Sequence, residues 1–406
     1  MVIIGRMPDN QPRTRTPGSA APPSRRRALR HRAATALTAA APALAGYAAV
    51  RAIGLLVLQG WASLAEKDAL HRLSGRWDSV WYQGIAENGY GRSVPLPDGS
   101  VHSDLAFFPL LPALERGVAD VTPLAVPGAG LLVAWLAGLL AAWGIFAVGA
   151  RLHGPRTGVV LACLWGACPT AFVQSMAYTE TLFTALAAWT LYAVLTGRWI
   201  AAGVLCVPAG LTRPSAAALV AALAVTAAAT LVKEYRTGDR EGVLRRHRRM
   251  LLGVVIAPLG FLAYVVFVAV RQGSPFAYFE VQAEWGNSID GGRALASFVL
   301  GLPAPAALGL CAALGLLGWL VSLCVRQRQP LPVLVYTLAI VAVSLIGSGY
   351  FGSRPRLMMP AFPLLLPASA ALLRLRTTAR TAAVVAALAL ASGAYGAWTL
   401  LGSGPP

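Results

Sequence analysis

Long apolar runs are the feature that most constrains how this chain folds. From residue 33 onward, stretches of mostly Leu, Ala, Val and Gly alternate with short polar segments. An α-helix needs ~20 apolar residues to cross the ~30 Å hydrocarbon core of a bilayer, and several runs reach that length. Lipid cannot hydrogen-bond an unpaired backbone, so the runs predict helices. About eleven spans are predicted, at residues 33–58, 124–150, 157–177, 180–197, 199–212, 214–232, 250–271, 303–325, 331–349, 357–373 and 381–401.

The composition favours an all-α polytopic membrane protein. Of the 406 residues, 57% are hydrophobic and only 12% are charged, which is far from the balance of a soluble domain. The net charge of +18 is distributed over short loops between spans instead of gathering on one face, so we expect no nucleic-acid partner. Lys67 and Lys233 are the two lysines among 34 basic residues, a usage typical of a GC-rich bacterial genome.

The chain divides into three predicted parts. Residues 1–32, rich in Pro, Ser and Arg, are expected to form a disordered basic tail. Residues 33–401 are expected to form a single multi-span membrane domain, followed by a short tail at 402–406. Within the domain, residues 60–122 hold eight of the sixteen acidic residues and are predicted to be a large first outer loop with interfacial or re-entrant helices.

The distribution of charge predicts the orientation. With the N-terminus in the cytoplasm, the predicted inner segments carry 23 basic and four acidic residues. The outer side carries the remaining 11 basic and 12 acidic residues. This asymmetry follows the positive-inside rule and predicts a multi-pass protein of the plasma membrane. The polar residues suited to chemistry then lie on the extracytoplasmic face, so the site is expected there.

An aromatic and polar stretch, residues 76–90, interrupts the apolar pattern. Asp78 lies between Trp77 and Trp81, and Gly89 is a plausible end of a short helix. Trp and Tyr favour the membrane–water interface. The stretch therefore predicts a surface helix that holds a carboxylate at the lipid boundary.

Carboxylates beside arginines at an outer membrane surface suit a reaction between a lipid phosphate and a hydroxyl. An Asp can accept the proton of an attacking hydroxyl, and arginines can hold a phosphate and stabilise its growing charge. The sequence has no Gly-rich nucleotide loop and no large soluble domain. A donor carried by the membrane, a polyprenyl-phosphate sugar, is therefore expected. The acidic residues show no tight cluster with ligand spacing, so no metal or other cofactor is expected.

Five short motifs, in order between about residues 50 and 375, resemble the PIG-V family. That family comprises GPI mannosyltransferase II and its bacterial relatives within the GT-C fold of membrane glycosyltransferases, and the composition suits an actinobacterial member. The motifs are Arg76-Trp77-Asp78 with Ile85-Ala86 and Gly89-Tyr90, then Phe107-Phe108-Pro109-Leu110, Tyr178-Thr179-Glu180, Leu211-Thr212-Arg213, and Arg356 before Pro360-Ala361-Phe362-Pro363.

The resemblance implies an inverting transfer of a hexose, most simply mannose, from a polyprenyl-phosphate donor to a lipid or glycan acceptor. The acidic residue of the first outer loop, at the centre of that chemistry, is Asp78 here. Many GT-C enzymes have a second acidic residue in this loop, often beside another; this sequence lacks an adjacent pair, and Asp104 is the second catalytic candidate. The substrate-binding candidates are Trp77, Tyr82, His102, Glu180, Arg213, Arg354 and Arg356.

Each candidate residue also has a structural interpretation. Asp78 could stabilise a helix N-terminus, Asp104 could cap the helix that follows it, and the aromatic residues could hold the helix at the interface. Arg213 and Arg356 could simply pair with Glu180.

Two other classes of function also fit a polytopic membrane protein. A transporter or flippase of an amphipathic substrate would be expected to show repeated halves and mid-membrane charges. The sequence shows no internal repeat, and its charges gather at one face. A membrane assembly partner without activity is the third possibility, and the aromatic-carboxylate loop argues against it. An enzyme site requires that the candidate residues converge on one cavity.

Overall fold

The computed structural model describes residues 25–95, 101–237, 242–349, 351–375 and 377–402. The chain separates into two units, Met1–Ala39 and Ala40–Pro406. Residues 25–39 of the first unit are described, as the beginning of one long helix. That helix begins inside the segment 1–32, so helical structure starts earlier than predicted. The rest of the predicted N-terminal tail and residues 403–406 lie outside the described residues, and the domain boundaries stay predictions.

Helices make up nearly all of the regular structure in the described residues. In chain order they are α1 (Arg25–Leu64), α2 (Ala69–Ser74), α3 (Asp78–Asn88), α4 (Leu110–Val121), α5 (Val126–His153), α6 (Pro155–Gly166), α7 (Thr179–Leu195), α8 (Trp199–Gly210), α9 (Ala217–Arg236), α10 (Val243–Arg246), α11 (Arg248–Ile256), α12 (Leu259–Gln272), α13 (Ala277–Glu284), α14 (Arg293–Gly301), α15 (Ala304–Arg326), α16 (Leu331–Ile346), α17 (Arg354–Leu357), α18 (Leu366–Leu372) and α19 (Thr378–Leu401). Short 3-10 helices lie at Asp104–Ala106, Ala171–Ser175, Pro214–Ala216, Phe351–Ser353 and Phe362–Leu365. Two short strands, β1 (Ser93–Pro95) and β2 (Val101–Ser103), pair antiparallel with Ser93 opposite Ser103.

Six helical segments among the described residues are long and apolar enough to cross a membrane. They are Ala34–Leu64, Val126–His153, Pro214–Arg236, Arg248–Gln272, Ala304–Arg326 and Thr378–Leu401. Shorter apolar helices lie at Thr179–Leu195, Trp199–Gly210, Leu331–Ile346 and Phe362–Leu372. Each of these ten segments overlaps a predicted span. The one remaining predicted span, 157–177, overlaps α6. The predicted all-α polytopic class is confirmed.

Three predicted spans are broken instead of continuous. Span 250–271 is α11 followed by α12, and Pro258 lies at the break, because proline cannot donate the backbone hydrogen bond that continues a helix. Span 157–177 ends its α-helix at Gly166 and continues as the 3-10 helix. There the Gln174 amide donates to the Trp165 carbonyl at 2.8 Å and satisfies part of the freed backbone. Span 357–373 is divided among α17, a 3-10 helix and α18.

The first loop between α1 and α5 is built from short elements that pack on the membrane helices. Helix α3 forms as predicted and ends at Gly89, whose φ of 75° is a left-handed conformation that glycine adopts readily. The hairpin β1–β2 follows, and then α4 packs its apolar face along α5. The helix is amphipathic, since Leu111 is fully buried and the side chain of Asp120 is 67% exposed.

The core is formed mainly by α5, α6 and α7 with the parts of α8, α9 and α16 that pack against them. Trp165, Tyr178 and Phe183 are among its largest fully buried side chains. Helix α15, in contrast, leaves Leu308 and Trp319 exposed, as a helix does when its side chains face lipid. The first turn of α7 is itself buried in this core.

Candidate active site

Asp78 is the first residue of α3, and distant segments hold both its backbone and the residues just before it. Its N–H donates to the Tyr178 hydroxyl oxygen at 3.1 Å. One residue earlier, Trp77 has φ 52° and ψ −121°, a strained conformation for a bulky side chain. The guanidinium of Arg76 lies 4.2 Å from the Trp77 ring centre. Its Nη1 donates to the Leu400 carbonyl, at the C-terminal end of α19, at 2.6 Å.

Three charged side chains from distant parts of the chain meet near Asp78. Asp78 Oδ2 lies 2.7 Å from Arg356 Nη2. Arg356 Nη1 lies 4.0 Å from Glu180 Oε1, and Arg213 Nη1 lies 3.1 Å from the same oxygen. The four residues form a chain of alternating charge, Asp78–Arg356–Glu180–Arg213, which we call the charge network.

Each member of the charge network is placed by the end of an element. Asp78 begins α3, and Glu180 lies in the first turn of α7, where the helix dipole stabilises a carboxylate. Arg213 lies between α8 and the 3-10 helix Pro214–Ala216. Arg356 lies in α17, and its guanidinium carbon is 5.1 Å from the Tyr178 ring centre. The network therefore forms where several helices end together.

Burial differs sharply along the charge network. The side chain of Glu180 is 3% exposed, those of Arg213 and Arg356 are 10% and 12% exposed, and that of Asp78 is 27% exposed. Buried charges are tolerated when they are paired, as they are here. Asp78 is thus the end of the network that a substrate can reach, and Glu180 is the deeply buried counter-ion of both arginines.

Electrostatics holds Arg356 fully charged. Burial lowers the pKa of the Arg356 guanidinium, but Asp78 and Glu180 raise it by more, so its pKa lies above the ordinary value. Burial, and then the negative charge of Asp78, raise the pKa of the Tyr178 hydroxyl, which therefore keeps its proton.

Several N–H groups in the charge network have no hydrogen-bond acceptor among the described residues. They are Nε and Nη1 of Arg356 and Nη1 of Arg213. The last of these lies 3.1 Å from Glu180 Oε1 but lacks the alignment of a hydrogen bond, so we treat the contact as an ion pair only. The two guanidinia share Glu180 and keep unused donors, a combination that suits an anion such as a phosphate.

Tyr82, predicted to bind substrate, lies next to the charge network. It is buried, and its hydroxyl lies 3.4 Å from the Thr179 hydroxyl, one residue before Glu180. Burial, and then Asp78 and Glu180, raise the pKa of the Tyr82 hydroxyl. Trp77 directly precedes Asp78 in the chain, and its ring lies against the guanidinium of Arg76.

The remaining three candidates make other contacts. Asp104 Oδ2 accepts hydrogen bonds at 2.8 Å from the N–H groups of both Gly91 and Arg92, so it fixes the base of the β1–β2 hairpin and does not cap the helix that follows. The His102 ring stacks on Trp285 at a centroid distance of 4.0 Å. Arg354 donates to the Leu345 carbonyl at 3.0 Å and to the Gly347 carbonyl. The described contacts place none of the three in the charge network.

Tyr178 is the site residue that the sequence analysis did not single out. It contacts both Asp78 and Arg356. Its position two residues before Glu180 in a recognised motif was the available signal.

Among the described residues, no group of three or more His, Cys, Asp or Glu side chains could hold a metal ion, and metal independence stays a prediction.

The solved structures that resemble this chain include those of ArnT and of an archaeal oligosaccharyltransferase. The crystal structure of ArnT from Cupriavidus metallidurans bound to undecaprenyl phosphate matches with a TM-score of 0.51 and 16% identity, covering 81% of this chain and 60% of ArnT. Apo ArnT from the same organism matches with a TM-score of 0.47, 19% identity and coverages of 72% and 54%. The apo oligosaccharyltransferase of Archaeoglobus fulgidus matches with a TM-score of 0.40, 14% identity and coverages of 86% and 56%.

The likeness to ArnT shows the fold. This chain spans 60% of the length of the ArnT chain, and no model of a protein family matches its sequence. No curated protein matches it either. The protein has the all-α, polytopic fold of the GT-C class, as predicted.

Proposed function

We propose that this protein is a PIG-V-like membrane glycosyltransferase. It transfers a hexose, most simply mannose, from a polyprenyl-phosphate donor to a hydroxyl of a lipid or glycan acceptor. The observation that carries the proposal is the charge network, in which a reachable carboxylate lies 2.7 Å from an arginine with unused donors. The ArnT structure of the same fold class is bound to undecaprenyl phosphate, which supports a polyprenyl-phosphate donor here.

The residues of the charge network suit the two halves of such a transfer. Asp78 accepts the proton of the acceptor hydroxyl as that oxygen bonds to the anomeric carbon. The bond from that carbon to the phosphate oxygen breaks, and polyprenyl phosphate leaves with an added negative charge. Arg356 and Arg213 stabilise this charge. Attack from the face opposite the leaving group inverts the anomeric configuration.

The proposed location is the extracytoplasmic face of the plasma membrane, with the N-terminus in the cytoplasm. Support comes from the excess of basic residues in the predicted inner segments. A lipid-linked donor and a hydroxyl acceptor would both reach Asp78 at that boundary.

Replacing Asp78 tests the proposal. We expect Asp78→Asn to reduce transfer from polyprenyl-phosphate mannose by about 10²–10⁴-fold, because an amide cannot accept the proton. Incorporation of labelled sugar by the purified full-length protein in lipid nanodiscs measures the rate. Asp120→Asn is the matched control, since Asp120 lies in α4 with a side chain that is 67% exposed.

Folding must be monitored in both variants by thermal unfolding. An Asp78→Asn protein that folds and transfers at the wild-type rate removes Asp78 from the mechanism. A flippase, in contrast, would move the donor across a vesicle membrane and leave its sugar–phosphate bond intact.

A further inference from the structure

Arg356 is shared between two carboxylates, whereas Arg213 contacts only one in the charge network. Arg356 Nη2 lies 2.7 Å from Asp78 Oδ2, and its Nη1 lies 4.0 Å from Glu180. The ion pair neutralises Asp78 and engages one of its two oxygens. Asp78 Oδ2 can accept the proton of an acceptor hydroxyl only after its contact with Arg356 is broken.

The two carboxylates differ in how readily they can release Arg356. Glu180 is 3% exposed and contacts both arginines, so its separation would leave buried charges without partners. Asp78 is 27% exposed and lies on the short helix α3. A ligand that competes for Arg356 therefore displaces Asp78 and leaves Glu180 in place.

The charge balance of the transfer favours such an exchange. The donor is a phosphodiester with one negative charge, and the leaving polyprenyl phosphate monoester gains a second. The acceptor proton moves to Asp78 in the same reaction, so the carboxylate loses its negative charge as the phosphate gains one. The total charge of the site and its substrates is unchanged, while the negative charge moves from one side of Arg356 to the other.

We propose that Asp78 and the donor phosphate compete for Arg356, and that the exchange frees Asp78 to act as the base. Arg356 pairs with Asp78 in the structure and passes to the phosphate as the phosphate binds and becomes more negative. Arg213, held by Glu180 at 3.1 Å, keeps its place throughout. This inference rests on the proposed function, and it adds that donor binding itself activates the base.

A double-mutant cycle on lipid binding tests the competition. Undecaprenyl phosphate is the probe, titrated into the purified full-length protein in detergent. Asp78→Asn removes the competitor, and we expect it to tighten binding about 10-fold, the size of a direct ion-pair coupling. In an Arg356→Gln background the same change should alter affinity by less than about 2-fold. Arg213 is still present in that background, so binding remains measurable.

The controls separate competition from other causes. Asp120→Asn removes an equal charge from an exposed position and should leave affinity unchanged. Asp78→Ser replaces Asp78→Asn if the latter does not fold. Equal tightening in both backgrounds would indicate general electrostatics and overturn the exchange, as would no tightening at all. If the wild-type protein binds undecaprenyl phosphate no better than uncharged undecaprenol, the proposed function itself fails.

Discussion

Glu115 is a buried acid that lacks any hydrogen-bond partner among the described residues. It is fully buried in α4, and both of its oxygens are unsatisfied. Gly130 of α5 makes room for it, because a Cβ at that position would meet Glu115 Oε1 at 2.5 Å. Burial, and to a smaller extent the charge of Glu87, raise the pKa of Glu115 from 4.5 to about 9. The side chain is therefore neutral at pH 7.

This pKa predicts a specific dependence of stability on pH. Between pH 4.5 and about 9 the folded protein keeps a proton on Glu115 that the unfolded chain releases. The free energy of unfolding therefore falls as pH rises through this window, by up to ~1.4 kcal/mol per pH unit. Glu115→Gln should remove that part of the slope in thermal or denaturant unfolding at pH 5, 7 and 9. The matched control is Glu284→Gln at an exposed position, and identical slopes for wild type and Glu115→Gln would contradict the prediction.

At the residue scale, the sequence identifies the members of the charge network but not which of its carboxylates is exposed and which is buried. Asp78, Glu180, Arg213 and Arg356 all belong to recognisable motifs. Burial separates Asp78 from Glu180 in the folded molecule, and a sequence motif carries no burial. Arg354 and Arg356 are two residues apart, yet Arg354 binds backbone carbonyls. Both arginines lie in α17, where residues two positions apart face different directions.

At the scale of elements, glycines set how closely α8 approaches α11 and α12. A Cβ on Gly203 or Gly210 of α8 would collide with the backbone of Gly253 or Phe261. Glycine at these positions lets the helix backbones touch, as small residues do in membrane helix pairs.

Substitutions in these contacts should be destabilising although alanine favours helices. We expect Gly203→Ala to lower stability by about 1–3 kcal/mol through overpacking. The matched control is Gly309→Ala in α15, where a Cβ would meet nothing within 4 Å. That change should be neutral or stabilising by up to ~1 kcal/mol. Thermal unfolding of the two variants in the same detergent compares them, and equal stability would show that the helices do not approach this closely.

Hydropathy predicts which segments are helical but not where a helix breaks. The short helix α3 and its end at Gly89 follow directly from local signals. The breaks within 157–177 and 357–373 lie near prolines, Pro169 in the first and Pro360 and Pro363 in the second, and these are local signals of a helix end. The breaks are made possible by long-range contacts, such as the Trp165 indole N–H donating to the Met359 carbonyl at 3.1 Å. A residue 194 positions away supplies the acceptor, which no local pattern records.

At the scale of the whole molecule, the sequence predicts the class of fold because a bilayer permits few alternatives. Apolar runs and basic loops are enough for an all-α polytopic chain. The convergence of four distant segments on the charge network required the folded structure. The motifs do not encode which sugar and which acceptor the proposed transfer would use.

The choice of donor is the most direct test of the proposed glycosyl transfer. Membranes that contain the full-length protein are given labelled polyprenyl-phosphate mannose or, separately, labelled GDP-mannose, with endogenous polyprenyl-phosphate mannose synthesis blocked. We expect transfer of label to a lipid or glycan acceptor from the polyprenyl-phosphate donor, and none from the nucleotide donor. Transfer that proceeds only from the sugar nucleotide would contradict it.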